Sequence, residues 1–153
     1  MYRKGVSALI INTKHEFLLV NLQAFEAHFF AIPGGGVESS ETSEDAVYRE
    51  VREELGIHKN LLELIGVSAS PIYLKFKTKK LTRDGIEYDG MERYFFGFKF
   101  AGDNNDIKLQ EDEIRSFRWV KYEDLKDFLL FDGQPQDTEK KIEEIFKFTR
   151  KDI

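Results

Sequence analysis

Glu50, Glu53 and Glu54 fall within five consecutive residues. On a helix, at about 100° per residue, they share one arc of roughly 100°. Three carboxylates on one stripe repel, and like charges one turn apart weaken a helix. Arg49 offsets part of that repulsion through Glu53 at i+4, but one cation does not balance three anions. Spacing alone leaves two readings open. The stripe is a solvated acidic face, as charge runs usually are, or it gathers hard oxygen ligands for Mg²⁺ or Mn²⁺. Directly upstream stand Pro33, Gly34, Gly35 and Gly36. Alone, that run is an ordinary tight turn. Beside a carboxylate cluster, it is backbone able to approach a ligand closely, with carbonyls free for a metal. The chemistry such a pair would serve is that of polyphosphates, whose oxygens complete a metal's shell.

Something must hold the stripe in place. Thr42, with Asp45 three residues on, starts a helix in the manner of a capping box, and Gly56 ends it, which predicts a helix over Ser43–Leu55. Val47, Val51 and Leu55 occupy the arc beside the glutamates and would dock the helix on a sheet. Strands are predicted at Val6–Thr13, Glu16–Leu22, Phe29–Ile32, Leu61–Ser68, Ile72–Lys77, Arg93–Phe100 and Ile114–Val120. The first two form a hairpin about Lys14–His15. Tyr94–Phe100 is aromatic on both faces, as a strand buried on both sides should be. Further helices are predicted at Tyr122–Leu129 and Thr138–Thr149. Strands outnumber helices without alternating with them, so the fold class is α+β with a mixed sheet. With no repeat, low-complexity tract or linker, residues 1–153 read as a single domain.

Taken together, 23 consecutive positions match one pattern: Gly35, five residues, Glu41, seven residues, Arg49-Glu50-Val51, one residue, Glu53-Glu54, one residue, Gly56-Ile57. This resembles the Nudix box, with every specified position filled. The resemblance implies an α/β/α sandwich around a mixed β-sheet, with the box forming loop, helix and loop. It implies hydrolysis of a nucleoside diphosphate linked to another moiety, usually with Mg²⁺. Carried over by position, Glu50, Glu53 and Glu54 would hold the metal, and Gly34 would offer it a backbone carbonyl. Glu53 and Glu54 would also take part in catalysis. Glu41 and Arg49 would brace the loop against the helix, with Gly35 and Gly56 structural. A carboxylate must take the proton from the attacking water, and Glu113, six residues before Trp119, is the candidate outside the box.

Beyond the box, the chain is most similar to bacterial RNA 5′-pyrophosphohydrolases and dinucleoside polyphosphate hydrolases. Tyr2-Arg3, Ala46-Val47-Tyr48-Arg49-Glu50 and Phe117-Arg118-Trp119-Val120 carry that similarity. Arg3, Lys75 and Lys77 are the expected substrate contacts. The lysines belong to a basic segment, Lys75, Lys77, Lys79, Lys80 and Arg83, which contacts a phosphate backbone or forms the wet face of an edge strand. Two departures stand against an RNA substrate. Gly34 occupies a position where that group typically has Gln, and Asn21, Leu22 and Gln23 stand where it places arginines. Hydrolysis of free nucleoside triphosphates, or nucleotide sensing without turnover, are the alternatives. The intact glutamate set speaks against the sensor.

Composition narrows the classes further. With 23 Lys+Arg against 28 Asp+Glu, the net charge is −5, which excludes wholesale coating of nucleic acid. The absence of cysteine excludes disulfides, thiolate metal sites and a cysteine nucleophile. No stretch approaches the ~20 apolar residues of a membrane span. The expectation is a cytoplasmic monomer or homodimer acting on a nucleotide or an RNA 5′ end, with no membrane partner.

Overall fold

The computed structural model describes residues 1–81 and 85–147, apart from the side chain of Lys77. Arg83 and the predicted end of the last helix at Thr149 lie outside the described residues. Among the described residues, seven strands form one sheet: β1 (Tyr2–Ile11), β2 (Glu16–Leu22), β3 (Gly34–Gly36), β4 (Leu62–Val67), β5 (Ile72–Leu81), β6 (Glu87–Phe100) and β7 (Ile114–Lys121). Two α-helices accompany it, α1 (Ser43–Leu55) and α2 (Gln134–Phe146). The strand order is β4-β6-β1-β2-β7, with β3 added to β1 and β5 to β6. β1 and β6 are parallel over their whole paired length and the other pairs are antiparallel, so the sheet is mixed.

Alternation along the central strands divides the core in two. Val6, Ala8, Ile10, Phe96, Phe98 and Phe100 face Val47, Val51 and Leu55 of α1. Leu9, Ile11 and Phe95 face Tyr122, Leu125 and Leu129, together with Ile142 and Ile145 of α2. The result is the α/β/α sandwich. No helix among the described residues is long and apolar enough to cross a membrane.

Several predicted elements differ: β1 starts four residues before Val6, β5 runs four residues past Lys77 and β6 starts six residues before Arg93. Phe29–Ile32 is not a strand: only Ala31 bridges to the sheet, at Val20. The Asn21 amide donates to the carbonyls of Glu26 and Phe29, which ties this run into a loop instead. The strand at this point is Gly34–Gly36, three residues without a β-branched or aromatic signal. Tyr122–Asp127 is a 3₁₀ helix rather than an α-helix, because its buried anchors, Tyr122 and Leu125, are three residues apart. α2 begins four residues earlier than predicted, with Gly133 at its N-cap and Pro135 in its first turn, where a proline costs no hydrogen bond.

Candidate active site

The opening of the sheet that holds the site follows from β3. On one side β1 pairs with β6 throughout, while on the other it pairs with β3 at Gly5–Ser7 and with β2 at Ile11. The glycine strand therefore enters directly in front of α1. Thr42 caps that helix by accepting from the Asp45 amide at 3.1 Å. At its other end Gly56 takes φ 66°, a left-handed conformation that favours glycine.

The three carboxylates have unlike surroundings. Glu54 is buried, at 6% exposure, and its Oε1 accepts from the Gly34 amide at 3.0 Å. It therefore does not lie on a solvated acidic face, one of the two readings the spacing left open. Burial, with the Glu50 charge next, pushes its pKa up to about 8, while the Gly34 amide and Arg93 act in the opposite direction. Glu50 is half-buried and also raised, chiefly by burial, with Arg49 opposing. Glu53 is the exposed member.

Arg49 organises the group. Its Nη2 donates to Glu41 Oε1 at 2.6 Å and to the Gly36 carbonyl at 2.9 Å. Its Nε donates to Glu41 Oε2 at 3.0 Å, and its Nη1 to Glu50 at 3.0 Å and Glu53 at 3.2 Å. The paired guanidinium holds the Glu41 carboxyl below its usual range. One side chain thus ties the loop, the glycine strand and two glutamates together, a task suited to the rigid fork of arginine.

Other predicted residues divide. Arg3 is brought to the site: a Cβ on Gly36 would strike its guanidinium. Glu113 is exposed at the start of β7, and its charge acts on both Glu50 and Glu54. Lys75 is not gathered in. It lies on β5, exposed, with β6 and β1 between it and the glycine strand. The Lys77 side chain lies outside the described residues. Sequence reasoning passed over Arg93, whose Nη1 donates to Ser7 Oγ at 3.0 Å and whose charge acts on Glu54 and Glu50. The available signal was a lone cation opening the aromatic run of β6.

The donors fit a hard divalent cation by their chemistry. All are oxygens, and a buried Glu54 beside a second carboxylate is costly while no cation neutralises the pair. Among the described residues no three acidic or histidine side chains stand close enough together to hold a metal ion. Arg49 is bonded to Glu50 and Glu53, and the grouping remains open.

The NUDIX domain family model matches residues 1–143. The chain belongs to the Nudix family. It is accordingly a hydrolase of phosphorus-containing acid anhydrides. An RNA pyrophosphohydrolase from a Nitratiruptor species is 27% identical over 151 residues, covering 95% of this chain and 94% of the relative. One from Rhodospirillum rubrum is 32% identical over 130 residues, covering 81% and 75%. Among solved structures, a Caenorhabditis elegans Ap4A hydrolase is similar with a TM-score of 0.67 at 18% identity, covering 94% of this chain and 99% of that one.

Gly35 offers a steric test of the Glu50 position. A Cβ there would come within 2.5 Å of the Glu50 carboxylate. Gly35→Ala should leave the circular dichroism spectrum unchanged and lower kcat by about 10²-fold, the scale of a ~1 Å misplacement. A variant with wild-type kcat would show that Glu50 is free to move without consequence.

Proposed function

We propose that the chain is a divalent-metal-dependent pyrophosphohydrolase of nucleoside polyphosphates, with RNA 5′-triphosphate ends and dinucleoside polyphosphates first among its substrates. The observation that carries this reading is the complete Glu50, Glu53, Glu54 set on one helix beside a glycine strand, with Glu54 accepting from the Gly34 amide and Arg49 donating to Glu50 and Glu53. The RNA pyrophosphohydrolases similar to it along most of the chain support the substrate class.

When bound, Mg²⁺ or Mn²⁺ supplies charge neutralisation on phosphate oxygens and a more acidic water. Glu50, Glu53 and Glu54 would hold it, with the Gly34 carbonyl as a further oxygen donor. Arg49 keeps Glu50 and Glu53 in position. Arg3, beside Gly36, offers a cation to a phosphate oxygen. Glu113 would take the proton of the attacking water as it adds in line at phosphorus, and a nucleotide or pyrophosphate departs.

A second reading, hydrolysis of free nucleoside triphosphates, is favoured by Gly34 in place of the glutamine typical of the RNA-directed group. One panel decides between them: 5′-triphosphate RNA, a dinucleoside tetraphosphate, free NTPs and dNTPs, and ADP-ribose, each with Mg²⁺ or Mn²⁺. The expected order of kcat/KM places the RNA end or the dinucleoside polyphosphate first. A clear preference for free dNTPs would overturn it. Addition of EDTA should abolish turnover of every substrate, and turnover that persists would remove the metal from the proposal.

A further inference from the structure

The turn that carries Glu113 is hydrogen-bonded on two sides. Towards the glutamates, the Gln110 amide donates to the Glu54 carbonyl at 3.0 Å, and the Lys108 amide to the Leu55 carbonyl at 2.7 Å. The approach to the turn is thus fastened to the last residues of α1. Gln110 closes the turn itself, its carbonyl accepting from the Glu113 and Ile114 amides at 3.0 and 2.8 Å. On the other side, the Glu113 carbonyl accepts from the Gln23 amide at 2.8 Å. The Glu111 carbonyl accepts from the Gln23 side-chain amide at 3.0 Å. Residues 110–114 therefore bridge the C-terminal end of α1 and the loop that leaves β2.

Arg115 fixes that loop. Along β2 and β7 the register passes from Asn21 opposite Ser116 to Leu22 opposite Ile114, which leaves Arg115 as the extra residue of a β-bulge. Such bulges re-aim a side chain and are over-represented next to active sites. Here Arg115 Nη1 donates to Asn21 Oδ1 at 2.6 Å and to the Phe25 carbonyl at 3.1 Å, with Nη2 on the Gln23 carbonyl at 3.4 Å. Asn21 is fully buried, and its Nδ2 donates to the Glu26 and Phe29 carbonyls at 2.9 and 2.7 Å. The amide thus gives both protons to the loop and its oxygen to Arg115. Without Arg115, a buried acceptor would be left unpaired, and the loop would have to shift to satisfy it. Arg115 itself is exposed, so its replacement should not unfold the chain.

We propose that Arg115, seated on Asn21, is a positioning residue for Glu113, holding the turn over residues 110–114 where Glu113 takes the proton of the attacking water. The proposal rests on the pyrophosphohydrolase reading above, with Glu113 as its base, and adds the residues that hold that base. An exposed arginine two residues from Glu113 has a rival use, direct contact with a phosphate, and the test separates the two. It measures kcat and KM for 5′-triphosphate RNA and a dinucleoside tetraphosphate with Mg²⁺. The proteins are wild type, Arg115→Met, Arg115→Lys, Gln23→Met, Glu113→Gln and the double variant Arg115→Met with Glu113→Gln. A positioned base contributes about 10²–10⁴-fold, so Glu113→Gln should lower kcat on that scale. Arg115→Met should lower kcat by about tenfold, part of that contribution, with KM and the circular dichroism spectrum unchanged. Arg115→Lys keeps one donor for Asn21 and should recover part of the loss. In the Glu113→Gln background Arg115→Met should cost nothing further, because no base is left to misplace. Gln23→Met, which removes the side-chain bond to Glu111, should act in the same direction as Arg115→Met and decides if that variant does not fold. A raised KM, or a loss that persists in full without Glu113, makes Arg115 a phosphate contact and overturns the proposal. An unchanged kcat in Arg115→Met overturns it as well, while hydrolysis by wild type leaves the pyrophosphohydrolase reading standing. Full kcat in Glu113→Gln removes the base assignment and the proposal together. If wild type hydrolyses no substrate, it is the pyrophosphohydrolase reading that fails, and the proposal falls with it.

Discussion

Glu54→Gln is expected to lower kcat by about 10²–10³-fold, the scale of losing one preorganised charge, while making the metal-free protein more stable at pH 7.5. The two effects have one origin. Glu54 is buried against the Gly34 amide, next to Glu50, and its pKa in the folded protein is pushed up to about 8. In the unfolded chain the same carboxyl ionises near its ordinary value of 4.5. Between those values the folded state binds the proton that the unfolded state has released, so the group's contribution to stability falls as pH rises. By pH 7.5 the loss is on the order of 4 kcal/mol. A glutamine has no proton to lose and its Oε1 still accepts from Gly34. The melting temperature in EDTA should therefore decline for wild type from pH 5.5 to 8 relative to the variant. Divalent metal should restore wild type and leave the variant unmoved. Parallel melting curves, or near-normal turnover with metal present, would sink the assignment of Glu54.

That behaviour was hidden in the sequence, and the reason is geometric. The helix itself was legible to the residue, Ser43–Leu55, because its limits are set locally by the Thr42 cap and Gly56. The grouping of three glutamates was legible too, because it follows from the helical repeat. Their unequal burial was not. It depends on β3 pairing with β1, and Gly34–Gly36 carries no strand propensity that a sequence pattern can detect. Arg93 illustrates the same limit. Its place on a strand could be read, but its reach to Ser7 depends on the parallel alignment of β1 with β6. Likewise the basic segment beginning at Lys75 could be seen as a charge run. Its separation from the site by two strands is a property of sheet order. Local signals thus located the glutamate-bearing helix, whereas nonlocal pairing determined which of its charges are costly.

Arg49→Lys is expected to cost about 10²-fold in kcat, and it isolates geometry from charge. Lysine keeps the positive charge, so the net field on Glu50 and Glu53 is little altered, but it carries one nitrogen where arginine presents a planar fork. Arg49 uses all three of its nitrogens: Nε and Nη2 on Glu41, Nη2 also on the Gly36 carbonyl, and Nη1 on Glu50 and Glu53. An ammonium can serve Glu41 or Glu50, not both together with Gly36. The Glu53 contact counts least, since that carboxylate is 59% exposed and exposed pairs contribute about 0–1 kcal/mol. The bonds to Glu41 and Gly36, both partly buried, hold the glycine strand to the helix, and their loss should destabilise the fold by about 1–3 kcal/mol. A merely structural brace and a positioning residue then differ in one measurement. If Arg49 only stabilises, kcat recovers once the temperature is low enough for the variant to be fully folded. If it sets the separation of Glu50 and Glu53, the deficit persists in folded protein at 15 °C, and saturating Mg²⁺ does not remove it. The density of bonds on one guanidinium favours the second outcome, because no lysine rotamer can reproduce contacts that run from the loop across the glycine strand to two positions of the helix.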